Sequence, residues 1–176
     1  MGRGLHFGQT ELESISMITI RKATTGDCDV ILKWENNPLL WEVTDEPGPF
    51  TKEDISTFLL EQNSMKTANQ ERWIIENCLE PIGMVDLFQW DPDQRSVGIG
   101  IALPNIESRK KGFATEALKI VHSTMKMKYG VQHFHCIIHN NNPASQKLFE
   151  KLGYQKMQSE NHRDQKVYRY RKSLEL

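Results

Sequence analysis

The sequence predicts a mixed α/β domain organised on a mostly antiparallel sheet of seven strands. Three observations predict it. Residues 73–76, 82–90 and 96–103 are apolar runs of strand length, separated by turn-forming stretches at 77–81 and 91–94, the pattern of an antiparallel meander. A helical pattern at 113–128 then leads to another strand at 131–138. Such a crossover makes the strands on either side of it parallel neighbours. Residues 154–159 and 167–170 close the chain as a hairpin.

Taken in order, residues 1–16 are polar and Gly-rich and are expected to be a mobile leader or an artificial remnant, with the domain at 17–176. Ile18-Thr19-Ile20-Arg21 alternates like a strand. Asp27 is expected to cap a helix carrying Val30, Ile31 and Trp34, which Asn36-Asn37-Pro38 stops. Residues 39–50 read as a loop with short helical turns. Thr51 and Asp54 form a capping-box pattern that opens a helix with Ile55, Phe58 and Leu59 on one face. This helix pair, with the loop, would wall a substrate pocket. The third meander strand contains Gly98 and Gly100, which mark a bulge or a ligand lying against the backbone. After the turn at 140–143, Asn142 caps a helix with Pro143 at its first position. Leu148, Phe149 and Leu152 line its apolar stripe, and Gly153 ends it. The expected order is β-α-α-β-β-β-α-β-α-β-β.

Composition narrows the function. A formal net charge of −1 argues against broad nucleic-acid binding, which needs a strongly basic face. No apolar run approaches the roughly 18 residues of a membrane span. Cys28, Cys78 and Cys136 fit neither a disulfide framework nor a zinc pair. They read as buried thiols of a reducing cytoplasm.

The most informative stretch is Glu107-Ser108-Arg109-Lys110-Lys111-Gly112-Phe113-Ala114-Thr115-Glu116, which carries three cations and a glycine onto a helix N-terminus. Bare amides and the helix dipole favour an anion there, and a residue without a Cβ lets it approach. Arg109 suits bidentate contact with phosphate oxygens. The reading is a pyrophosphate cradle; the plainer one is a solvated basic turn. His133, His135 and His139 recur at spacings that put the first two on one strand face, where packing or a place near a cofactor is favoured over a metal site, since no carboxylate or thiol joins them at matching spacing. Trp34, Trp41, Trp73 and Trp90 read as core and pocket wall.

With these residues placed, the chain resembles the GNAT-type N-acetyltransferases over about residues 18–172. It looks most similar to the branch of ribosomal-protein N-terminal acetyltransferases and spermidine acetyltransferases. Arg109-Lys110-Lys111-Gly112-Phe113-Ala114 matches the family signature Arg/Gln-x-x-Gly-x-Gly/Ala. Asn142-Pro143-Ala144-Ser145, followed by Leu148-Phe149-Glu150-Lys151-Leu152-Gly153-Tyr154, matches the next block. Ile20-Arg21-Lys22-Ala23 and Trp34-Glu35-Asn36-Asn37-Pro38 are similar to that branch's opening. The resemblance implies a V-splayed sheet with helices on both faces, and acetyl transfer from acetyl-CoA to a primary amine of a small molecule or a protein N-terminus. It also implies a place among proteins that often form homodimers. By family analogy Ile101, Ala102 and Leu103 hold the pantetheine and thioester. Amides from Lys111 through Ala114, flanked by Arg109, Lys110 and Thr115, hold the pyrophosphate, and Asn142 binds the cofactor arm.

Two departures bear on catalysis. Many members carry tyrosine, as the acid, at the position of Phe149, which has no proton to give. Ser145, one turn earlier, has one, and relatives in the ribosomal branch use a serine there. The carboxylate usual on the third meander strand is replaced by Gly98 and Gly100. Asp86 on the preceding strand is therefore the candidate base, acting directly or through water, with Glu76 in reserve. The plainer readings are a solvent-facing Asp86, a surface Glu76 and a Ser145 that is only a helix residue. The departures also motivate an alternative, an acyl-CoA-binding module that has lost catalysis and serves sensing or protein interaction. Glu42, Asp45, Glu46, Glu53 and Asp54 could draw in a cationic amine or form an ordinary solvated loop.

Overall fold

A computed structural model describes residues 17–41, 48–162 and 165–174. Seven strands form one sheet: β1 (Ile18–Lys22), β2 (Glu71–Asn77), β3 (Glu80–Asp91), β4 (Ser96–Ala102), β5 (His133–His139), β6 (Gln155–His162) and β7 (Gln165–Ser173). Their spatial order is β1-β2-β3-β4-β5-β7-β6. Every neighbouring pair is antiparallel except β4 and β5, which are parallel across the crossover helix. The helices are α1 (Cys28–Glu35), α2 (Pro38–Trp41), α3 (Lys52–Thr57), α4 (Met65–Ala68), α5 (Phe113–Tyr129) and α6 (Pro143–Lys151), and a π-turn, Phe58–Gln62, continues α3.

Strand alternation sends side chains to two differently built faces. Trp73, Ile75, Val85, Leu87, Val97 and Ile99 join Phe134, Cys136 and Ile138 in the larger core, against Ala117, Leu118, Val121 and Met125 of α5. These α5 positions recur at helical spacing, and the helix lies between left-handed glycines, Gly112 (φ 84°) and Gly130 (φ 67°). The Val131 N–H reaches back to the Met125 carbonyl and closes the C-terminus. On the other face a smaller core joins Ala23, Cys28, Ile31, Trp34, Ile55 and Leu59 to Ile74 and Met84.

Several local expectations are revised. Asp27 faces backward: its carboxylate accepts from the Thr24 N–H (2.8 Å) and from Arg21, which holds it below its ordinary range, so it braces the turn before α1 rather than capping the helix. Thr51 and Asp54 do form a capping box, with Thr51 N–H donating to Asp54 at 2.7 Å and Asp54 N–H to Thr51 at 3.2 Å. That occupies the Asp54 carboxylate; Glu53 is exposed, and Glu42, Asp45 and Glu46 lie outside the described residues. Residues 1–16, the expected leader, lie outside them too. Cys28 and Cys136 are buried, but Cys78 is exposed in the β2–β3 turn at φ 51°. Trp34 and Trp73 are core, whereas Trp41 and Trp90 are half-buried. Among the described residues no helix is long and apolar enough to cross a membrane.

Candidate active site

The site begins where the parallel pair parts. Residue partners join β4 to β5 from Ser96↔His133 to Gly98↔His135, while β4 runs on to Ala102 and β5 to His139. Beyond Gly98 the strands form the two arms of a V. Ile101, Ala102 and Leu103 sit half-buried along one arm. The chain then makes a short 3-10 turn (Ile106–Ser108) and enters α5 through Lys110 (φ 60°) and Gly112. A Cβ on Gly112 would meet nothing within 4 Å, so the glycine answers to its backbone angle and leaves open space in front of the helix. The first amides of α5 have no intrahelical carbonyl to bond. Phe113 is buried; Ala114 and Thr115 are half-buried. Lys110 and Lys111 are exposed, the latter with Nζ 6.0 Å from the Phe113 ring.

Arg109 has a structural task that the motif alone does not reveal. Its Nε donates to the Leu103 carbonyl at 3.0 Å, tying the loop back to the end of β4. Asn142 likewise works locally: its Oδ1 accepts the Ser145 N–H at 3.1 Å, capping α6. Ser145 is half-buried in the first turn of α6. Phe149 is 3% exposed and packs edge-on against Tyr154 at 4.8 Å, a core position. Tyr154, also buried, shares a 2.8 Å hydrogen bond with His122 on α5. Burial, with Lys172 adding to it, pushes the His122 imidazole down to about 4.

The second half of the site lies on the face opposite α5. Register places Arg72, Asp86 and Gly100 in one row across β2, β3 and β4. Gly98 and Gly100, two residues apart on the same face, differ completely. A Cβ on Gly98 would lie 2.3 Å from the Phe88 ring, whereas one on Gly100 would meet nothing within 4 Å. One glycine admits a side chain of the protein, and the other leaves an opening beside Asp86. Asp86 is tied on its other flank: Arg72 donates from Nε to Oδ1 at 2.6 Å and from a terminal nitrogen to Oδ2 at 2.9 Å. A second terminal nitrogen of Arg72 pairs with Glu35 of α1 at 2.6 Å. Burial alone would lower the Arg72 guanidinium; the facing carboxylates of Asp86 and Glu35 outweigh it and raise it.

Glu76 is placed elsewhere. It is buried rather than on the surface, accepting from Arg21 Nε at 2.7 Å in the β1–β2 network that also holds Asp27. His133, His135 and His139 pair with Ser173, Gln89 and Gln165. Among the described residues no group of three or more His, Cys, Asp or Glu side chains is placed to hold a metal. Sequence reasoning missed Arg72 and Glu35. The strand expected from residue 73 stopped one position short of Arg72, and Glu35 was visible only as part of a family-like motif.

Known proteins share this fold. A family model described as an acetyltransferase (GNAT) domain matches residues 17–155. An uncharacterized protein of Methanocaldococcus jannaschii is 27% identical over 174 residues, covering 86% of this chain and 34% of that protein. The chain thus spans about a third of the length of that curated relative. Among solved structures, a ribosomal L7/L12 α-N-protein acetyltransferase in complex with coenzyme A superposes with a TM-score of 0.80 at 13% identity, covering 89% of this chain and 94% of that one. The spermidine N-acetyltransferase of Vibrio cholerae, in complex with coenzyme A and spermine, gives 0.76 at 22% identity, covering 89% and 95%. At these identities the likeness is one of fold.

Proposed function

Since the chain belongs to the GNAT family of acetyltransferases, whose domains use acetyl-CoA as cosubstrate, we propose that it transfers the acetyl group to a primary amine of a small molecule or a protein N-terminus by direct attack. One observation carries the reading: the β4–β5 pairing ends at Gly98↔His135, and the V it opens is flanked by the bare N-terminus of α5 at an unobstructed Gly112. These residues fit the cosubstrate. Amides from Lys111 to Ala114, with Thr115 beside them, receive the pyrophosphate, and Lys110 and Lys111 supply charge. Arg109 adds charge while holding Leu103, and backbone groups of Ile101, Ala102 and Leu103 align the pantetheine and the thioester carbonyl. Asn142 borders the arm, and Phe149 packs beneath it.

Asp86, facing the opening over Gly100, accepts the amine's proton directly or through water. The amine nitrogen then bonds to the thioester carbon, the carbon–sulfur bond breaks, and Ser145 donates a proton to the departing thiolate. Two proteins of the same fold carry names that specify a protein α-amine and spermidine, which supports the amine class. The resemblance points to a homodimer, which sedimentation velocity would test. The buried thiols Cys28 and Cys136 support a reducing, cytoplasmic setting.

Calorimetry with coenzyme A tests the cradle. Reversing Arg109, Lys110 and Lys111 to Glu should weaken binding ~100-fold, the scale of two lost charge-assisted hydrogen bonds. No heat from the wild type, or unchanged affinity in the triple variant, would overturn the assignment. A thiol-release assay over spermidine, kanamycin and tetrapeptides with free N-termini tests the transfer. Turnover on none of them would favour a binding module instead.

A further inference from the structure

The buried guanidinium of Arg72 is an ion-pair hub that the transfer chemistry above leaves without a role. Its side chain is 11% exposed, while that of Asp86 is 38% exposed. Three elements and a loop residue converge on it. Its fork takes both oxygens of Asp86 on β3, and its remaining arm takes Glu35 at the end of α1. The Phe58 ring of the π-turn lies 5.2 Å from Cζ. The Arg72 N–H donates to Asn63 Oδ1 at 2.6 Å, and Asn63 in turn donates to the Ala23 carbonyl at 3.0 Å. Each carboxylate oxygen offers two acceptor positions, so the fork uses one on each oxygen of Asp86 and leaves one on each. A planar guanidinium bound on two points also fixes the plane of the carboxylate, which a single contact would leave free to turn.

We propose that Arg72 is a positioning residue for the transfer: it orients Asp86 toward the opening over Gly100 and, through Glu35, ties that orientation to the α1–α3 wall. The inference rests on Asp86 receiving the amine's proton, as proposed above. Two carboxylates against one guanidinium leave the cluster with one negative charge. The row therefore attracts a cationic amine while the carboxylate stays fixed in plane. Arg72 does not touch the substrate; it acts through Asp86.

The test is a double-mutant cycle in the thiol-release assay, using whichever of spermidine, kanamycin and a free tetrapeptide turns over fastest. Arg72→Lys keeps the charge and loses the fork. It should lower kcat ten- to a hundred-fold, the scale of a misplaced reactive group, and leave the KM for acetyl-CoA unchanged. Glu35→Gln removes the cluster's net charge and loosens the tie to α1, and should raise the KM for the amine several-fold and lower kcat a few-fold, less than Arg72→Lys does. In an Asp86→Asn background, Arg72→Lys should lose its effect, changing kcat less than about three-fold, because the two act as a unit. Circular dichroism and the melting midpoint check that each variant is folded. If Asp86→Asn alone leaves turnover intact, the proton-acceptor role of Asp86 fails. If it lowers turnover but Arg72→Lys lowers it further by the same factor as in the wild type, only the positioning role is overturned. Should Arg72→Lys fail to fold, Glu35→Gln carries the test, and a kcat equal to wild type overturns the positioning role.

Discussion

The two faces of the sheet are made of different material. The face under α5 carries the larger apolar core, and its buried polar groups are bonded within it, His122 to Tyr154 at 2.8 Å and Glu71 to Tyr129 at 3.3 Å. The opposite face has a smaller core and, beside it, two ion-pair networks, Arg21 with Asp27 and Glu76, and Arg72 with Glu35 and Asp86. Gly100 leaves this second face open. The first face holds the strands at fixed spacing. The second places charge beside a gap in the packing. The larger apolar core and the larger ion-pair networks thus lie on opposite sides of the same strands.

Four substitutions would break or sharpen that division. Leu118 is fully buried beneath the sheet, so Leu118→Ala should cost about 4 kcal/mol in a urea melt while the surviving folded protein keeps its coenzyme A affinity. A loss below about 1 kcal/mol would mean that α5 is not the structural side. His122 gives the next largest effect. The unfolded chain takes up a proton below pH 6.5, whereas the folded chain resists it down to about 4, so stability drops as pH falls through that window. The drop should total about 3 kcal/mol and be absent in His122→Gln, as measured by the difference between the two melting profiles.

The other two substitutions compare positions two residues apart. Gly98→Ala drives a methyl into the Phe88 ring and should cost about 2 kcal/mol by overpacking. Gly100→Ala meets no protein atom within 4 Å and should change stability by no more than about 0.5 kcal/mol. Its effect should appear instead as a higher amine KM. Equal thermal penalties at the two glycines would contradict an opening at one of them.

Features written in short stretches of sequence were legible. The start of α5 just after Gly112, the Asn142 cap followed by Pro143, and the Thr51–Asp54 box each depend on residues within a few positions of one another. The crossover that makes β4 and β5 parallel was legible from the long helical segment between two strands. Arg72 was not: it lies just outside the expected strand, and a register shift hides its partner. Counting back from the turn, the pair Asn77↔Glu80 would set Arg72 opposite the apolar Val85. The irregularity between Ile75 and Glu76 adds one residue and brings Arg72 opposite Asp86. A single bulge in β3 thereby decides whether Val85 or Asp86 lies beside Arg72, and periodicity does not show it. Asp27 was misread for a similar reason. Its caplike position was correct, but a guanidinium from β1 claimed the carboxylate.

The parallel seam has a mechanical consequence. Only three residue pairs join β4 to β5, against seven between β5 and β7, so the first four strands and the last three meet at a narrow weld. Whatever fills the fork above that weld bridges the two halves, and a ligand held only by the native state raises the unfolding midpoint as its concentration rises. Heating the protein with candidate compounds therefore amounts to a docking assay, read from how firmly the halves stay clasped.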